Sequence, residues 1–159
     1  MNIAFHLNGK AVELDMLPHR RTVHVLTEDF QCRSLVHCRY DADYCSCLIL
    51  MNDVPVHPCL LPAFELRRSE VWTMEGLANT KGYNDILEGF SDAGVRLCPL
   101  CAPSRALAAE ALLRRTLRPL PEELREAAES VHCSCGSTRR ILDAMLRSAR
   151  NRESRLRDS

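Results

Sequence analysis

Cysteine is the residue type through which this chain could do chemistry. Its 159 residues include nine cysteines, and four of them fall into two tight pairs. In "LCPLCAPSRALAAEALL", residues 97–113, Cys98 and Cys101 form a C-x2-C pair; after a gap of 31 residues, Cys133 and Cys135 form a C-x-C pair in "HCSCGSTRR". Cysteines that merely fill a core have no reason to pair in this way. Four thiolates accept either a zinc ion or a [2Fe-2S] cluster, since both take tetrahedral sulfur. The C-x-C spacing leans towards iron, because structural zinc sites more often use C-x2-C to C-x4-C at both ends. An odd total fits a disulfide framework poorly, so metal or cluster ligation is the better default.

The elements that must position these sulfurs change character near residue 80. Before it, Ile3, Phe5 and Leu7 alternate, Asn8-Gly9 supplies hairpin-turn chemistry, and Val12, Leu14 and Met16 alternate again. A short helix is predicted with Thr22 as its cap and Val23, Leu26 and Phe30 along one face. A cysteine-bearing loop, 32–47, follows. "CLILMNDVPVH" reads as two strands about an Asn52-Asp53 turn, and "EVWTMEGL" as a further strand. After residue 80 the period becomes 3.6. "YNDILEGFSDAG" is a helix closed by Gly94, and Pro103 starts the next, with Leu107, Ala111 and Leu112 as its apolar stripe. "LPEELREAAESV" starts at Pro121 with Glu122 and Glu123 in its first turn, where they suit the helix dipole. "STRRILDAMLRSARN" has Ser137 as cap and buries Ile141, Leu142, Met145 and Leu146. Each cysteine pair lies in the connection leading into the second or fourth helix, so two helical hairpins could bring four thiolates together.

Composition narrows the function classes. The chain has zero formal charge and 46% hydrophobic residues, enough for one mid-sized domain or two small ones. No basic leader, cleavage site or apolar run near the ~20 residues of a membrane span is present, which predicts a cytoplasmic chain without membrane association. Residues 139–159 carry seven arginines against three acids; these read as a solvated helix end, or as a docking patch for an acidic partner. Nucleic acid is not an expected partner, because no aromatic residues interleave with the basic ones. No nucleophile-base constellation, phosphate loop or dinucleotide fingerprint appears.

Taken in order, "FHLNGKAVELD", "VLTEDF", "CLILMNDVPVHPCLLPA", "WTMEGLA", "LCPLCAPSRALAAEALL", "PEELREA" and "CSCGSTRRILDAM" resemble the small iron-sulfur subunit of the molybdenum hydroxylases, the family of xanthine dehydrogenase, aldehyde oxidoreductase and aerobic carbon monoxide dehydrogenase. The resemblance covers residues 3–148. It implies an α+β fold: an N-terminal β-grasp, plant-ferredoxin-like domain (1–78), then a C-terminal four-helix domain (79–150), ending in a basic tail (151–159). Each domain would bind one [2Fe-2S] cluster. Cys98, Cys101, Cys133 and Cys135 match the ligand positions of the family's C-G-x-C-T-P-G and C-R-C-T-G-Y motifs. Cys135 would lie nearest a molybdopterin held in a separate large subunit, and electrons would continue towards FAD in a third chain. The implied function is electron transfer within an oxidoreductase, with no substrate-converting site in this chain.

The sequence also departs from the family pattern. Leu97 stands where the family has a pterin-contacting glutamine, and Pro99 and Ser104 replace glycines. Losing glycine predicts an altered set of backbone N–H groups around the sulfurs. For the N-terminal cluster, Cys47 and Cys59 match the third and fourth ligand positions, with the expected 11 residues between them. The first two positions fall on Arg39 and Tyr44, so the ligand set implied here is Cys38, Cys45, Cys47 and Cys59, a C-x6-C-x-C loop. These departures keep a rival open: a structural or assembly subunit that retains the fold and has lost one or both clusters. A zinc-stabilised interaction module is the third reading. Cys32 is a packing residue or spare thiol; His37, His57 and His132 stand near cysteines but lack Rieske spacing and receive no role. Trp72 is expected in a core or between domains.

Overall fold

The computed structural model of the chain describes residues 1–35 and 47–159. In its first half, alternation builds a sheet. Ile3, Phe5 and Leu7 of β1 (Asn2–Leu7) are buried on one face while Ala4 and His6 stay exposed, as the period-two geometry of a strand requires. Asn8 and Gly9, both at positive φ, make the tight turn into antiparallel β2 (Lys10–Asp15). Asn52 and Asp53, also at positive φ, turn β3 (Ile49–Met51) into β4 (Val54–Val56). Strand β5 (Glu70–Trp72) pairs parallel with β1 and antiparallel with β3, so the five-stranded mixed sheet has the order β2-β1-β5-β3-β4. The helix α1 (Thr22–His24) runs on through a wider π-type turn at Val25–Asp29 and adds Val23, Val25 and Leu26 to the core of the sheet.

Two details differ from expectation. Arg21, not Thr22, holds the extended backbone of the N-cap position; Thr22 is the first helical residue and is fully buried. "EVWTMEGL" is not a single strand. Its pairing stops at Trp72, because Asn8 Oδ1 accepts the Thr73 N–H at 2.8 Å and Asn8 Nδ2 donates to Thr73 Oγ1 at 3.0 Å. The chain then turns into the short helix α2 (Met74–Leu77).

The second half is four helices: α3 (Lys81–Asp92), α4 (Ala102–Arg115), α5 (Pro121–Glu129) and α6 (Thr138–Arg157). Their starts satisfy amides that a helix leaves open. Thr80 Oγ1 accepts from the Tyr83 N–H at 3.2 Å, Glu123 accepts from the Leu120 N–H at 2.8 Å, and Ser137 Oγ accepts from the Arg140 N–H at 3.4 Å. Helix α4 is the axis of the bundle. In place of the expected apolar stripe, it is buried on every side from Ser104 to Leu113. Helices α3 and α6 cross so closely at Gly89 that a Cβ there would meet the Ser148 backbone nitrogen at 2.5 Å.

A buried ion network locks α3, α4 and α6. Arg152 pairs with Asp85 at 3.1 Å and with Glu110 at 2.6 Å, and Arg155 reaches Asp85 at 2.8 Å. Burial opposes ionisation of Asp85, but hydrogen bonds from Arg155 and Arg152 outweigh it and hold the carboxyl below the ordinary carboxylate range. Two arginines of the basic chain end are therefore engaged within the fold.

Strand β3 divides two apolar cores. Ile49 faces the core beneath the sheet, whereas Leu48 and Leu50 join the helical core around α4. The second contact is reinforced by Arg114, which pairs with Asp53 of the β3–β4 turn at 2.6 Å and lies 4.9 Å over the Trp72 ring. Among the described residues no helix is long and apolar enough to cross a membrane.

Candidate metal centre

The C-x2-C pair is shaped by the start of α4. The Cys98 carbonyl accepts the N–H groups of Cys101 and Ala102 at 3.2 and 3.0 Å, and the Cys101 carbonyl accepts that of Arg105 at 2.9 Å. This tight turn leads into the helix, with Pro103 in the first turn where its missing N–H costs nothing. Cys133 and Cys135 lie between the end of α5 and the Ser137 cap of α6. Packing of the two helical hairpins brings the four sulfurs within 4.8 Å of one another. Cys98 Sγ is 3.5 Å from Cys133 Sγ, and Cys101 Sγ is 3.1 Å from Cys135 Sγ, so each short contact crosses between hairpins.

The environment is graded. Cys101 is buried, Cys98 and Cys133 are half-buried, and Cys135 is exposed beside an open cleft of about 500 Å³ that Arg96 and Arg140 line. Burial disfavours the Cys98 thiolate, yet hydrogen bonds from the Cys101 N–H and thiol, the Cys133 thiol and the Leu100 N–H outweigh it and bring its pKa down to about 7. Cys101 shifts upward, first through burial and then through the neighbouring thiols. Cys133 also shifts upward, burial prevailing over the Cys135 N–H that favours its thiolate. Backbone N–H groups of Leu100, Cys101 and Cys135 thus act on the sulfurs of Cys98 and Cys133. With sulfur alone among its donors, the centre suits thiophilic zinc or an iron-sulfur cluster, and not a hard cation.

The other expected group is described only in part. Cys47 and Cys59 are both buried, with their sulfurs 3.3 Å apart; Cys38 and Cys45 lie outside the described residues, as does His37. His57 Nδ1 sits 2.8 Å from the Cys47 carbonyl, and Arg21 donates to the Cys59 carbonyl at 2.7 Å, so both fix backbone near these sulfurs. His132 is exposed. Cys32 is a buried thiol whose pKa is pushed up to about 11, by burial first and then by the charge of Glu75, against a hydrogen bond with Thr73. Burial thus disfavours the thiolate through which this sulfur would react. One buried residue near the start of α4 is not marked by any motif: Arg105, a cation one helical turn beyond Cys101. Its only signal in the sequence is a lone arginine in the small-residue run "APSRALAAEALL".

Comparison with known proteins agrees with this geometry. Residues 73–146 match the [2Fe-2S] binding domain family. The chain is 30% identical over 135 residues to the nicotinate dehydrogenase small FeS subunit of Eubacterium barkeri, covering 85% of this chain and 86% of that one. It is 25% identical over 150 residues to a nicotinate dehydrogenase subunit of Pseudomonas putida, covering 94% and 96%. Quinoline 2-oxidoreductase from Pseudomonas putida 86 shares the fold with a TM-score of 0.77 at 23% identity, over 98% of this chain and 96% of that one. The aldehyde oxidoreductase of Desulfovibrio desulfuricans does so with a TM-score of 0.79 at 20% identity, over 96% of this chain and 17% of its own. An α+β chain with four converging thiols, similar along most of its length to small FeS subunits of oxidoreductases, belongs to the small iron-sulfur subunits of the molybdenum hydroxylases.

Proposed function

We propose that Cys98, Cys101, Cys133 and Cys135 hold a [2Fe-2S] cluster, and that the chain conducts electrons from a molybdopterin-binding large subunit towards an FAD-binding subunit. The observation that carries this reading is the convergence of four sulfurs from two helical hairpins in a chain of this family. A bound cluster would supply a one-electron carrier. The protein's own contribution is to fix and differentiate the sulfurs. The turn at Cys98–Ala102 and the Ser137 cap set the two loops, and the amides of Leu100 and Cys101 favour the thiolate at Cys98, whereas burial outweighs the Cys135 amide at Cys133. Burial of Cys101 directs that sulfur into the bundle while Cys135 opens to the surface. That exposure supports Cys135 as the edge facing the molybdopterin.

A second cluster on Cys38, Cys45, Cys47 and Cys59 belongs to the same proposal; the 3.3 Å approach of Cys47 and Cys59 supports it. So does a division into a ferredoxin-like unit over 1–78 and a helical unit over 79–150, which the two apolar cores on either side of β3 favour. Water as the oxygen source and the substrate itself are matters for the partner subunit, and the working compartment is the cytoplasm in this reading.

One observation favours a second reading. Metal–sulfur bonds of ~2.3 Å around one tetrahedral ion place the sulfurs ~3.8 Å apart, and the four here lie within 4.8 Å. That span also suits a single zinc ion in a structural module. Iron, zinc and acid-labile sulfide analysis of the purified complex separates the readings. About four iron atoms per chain are expected with both clusters filled, and about two with the helical centre alone. Zinc without labile sulfide, or a metal-free chain that still co-purifies with its large partner, would replace the electron-transfer reading with a structural one.

A further inference from the structure

Arg105 lies on the first turn of α4, four residues after Cys101, and is only 3% exposed. Its Nη1 donates to the Ala128 carbonyl near the end of α5, and its Nε has no hydrogen-bond partner among the described residues. Nor does it form an ion pair among them. The contrast within the same bundle is sharp. Arg152, equally well buried, has two carboxylates, Asp85 and Glu110. Glu110, on the same helix as Arg105, is taken by Arg114 and Arg152. A guanidinium removed from water without a countercharge is strongly unfavourable. The carbonyl end of α5 offers partial negative charge, but a helix dipole amounts to only about half an elementary charge.

The missing countercharge can be located. Helix side chains lean towards the N-terminus of their helix, which carries Arg105 back over the turn of Cys101. Its bond to Ala128 holds it at the end of the helix that delivers Cys133. It thus ties together the two helices that flank the cysteine pairs, α4 directly after Cys101 and α5 shortly before Cys133. Four thiolates and two sulfides outweigh two ferric ions, so a bound [2Fe-2S] cluster is anionic when oxidised and gains a further negative charge on reduction. We infer that Arg105 is the internal counter-cation of the four-cysteine centre, offsetting the charge of the bound cluster and favouring its reduced state. The inference rests on the reading that these cysteines hold iron, and it adds a residue outside the ligand set.

The test is a redox titration of the full-length chain, followed by electron paramagnetic resonance, for wild type, Arg105→Met and Arg105→Lys, with iron and sulfide measured on each. Arg105→Met with full iron should show a lower midpoint: at the wild-type midpoint its reduced-to-oxidised ratio falls about tenfold, equivalent to ~59 mV for one electron. Arg105→Lys, which keeps the charge, should stay near wild type. Loss of iron in Arg105→Met with retention in Arg105→Lys also supports the inference. An unchanged midpoint in a fully loaded Arg105→Met overturns it, leaving only a helix cap. Equal shifts, or equal loss of iron, in both variants overturn it too, because shape and not charge would then be what matters. A wild-type chain free of iron would instead overturn the functional reading, and the inference with it.

Discussion

Cys47 and Cys59 flank the β3–β4 hairpin, 12 residues apart in sequence, and their sulfurs meet at 3.3 Å. The short contacts of the helical centre, Cys98 to Cys133 and Cys101 to Cys135, join residues 35 and 34 apart. The first pair is set by strand register and a two-residue turn, whereas the second set exists only while two helical hairpins are packed. Burial differs as well. Cys47 and Cys59 are both enclosed, while the helical centre grades from buried Cys101 to exposed Cys135. Local geometry can assemble a sulfur pair, but an all-sulfur centre with one edge open to a partner needs tertiary structure. The helical centre is therefore the one that mutations in distant packing should reach.

The largest effect expected is on the centre itself. Cys101→Ser should remove about two iron atoms per chain, while Cys47→Ser leaves the iron of the helical centre in place; iron analysis of the two variants checks this. Next comes the ion network that holds the bundle. Asp85→Asn leaves Arg155 without its carboxylate and Arg152 with Glu110 alone, and should cost about 3 kcal/mol, read as a lower urea midpoint of the metal-free chain. The pH dependence has a definite sign. Because the folded Asp85 pKa is depressed below 3.8, its contribution is complete above that pH and is lost as pH falls through the folded value. The gap between wild type and Asp85→Asn should therefore close in acid. Smaller still is Gly89→Ala, which drives a methyl group against the Ser148 backbone and should cost about 1–3 kcal/mol by overpacking. Both bundle variants should lower iron loading at Cys98, Cys101, Cys133 and Cys135 before they disturb the Cys47–Cys59 contact. Equal loss at both places would erase the contrast between the two regions.

The parts of this architecture legible in the sequence are those set by short-range rules. The Asn8-Gly9 and Asn52-Asp53 turns, the alternation of β1, the Ser137 cap and the proline-led helix starts all follow from local backbone chemistry. Where local rules mislead, tertiary contacts decide. Thr22 is a buried helical residue, and Thr73 leaves the strand because Asn8, 65 residues away, captures its amide. The cysteine pairs are visible as spacing, but their approach depends on helix packing that periodicity does not specify. Arg105 and Glu110 lie five positions apart on α4, and no motif in the sequence marks either as buried. Burial of α4 on every side turns them into internal charges, Glu110 paired with arginines and Arg105 without an ion-pair partner among the described residues.

In this reading the helical hairpins hold a redox-active pair of irons. Its most direct test is the electron paramagnetic resonance spectrum of the reduced chain, recorded for wild type and for Cys47→Ser. A rhombic iron-sulfur signal that persists in Cys47→Ser is the expected result. A wild-type spectrum without such a signal, or a single signal that disappears with Cys47, would contradict it.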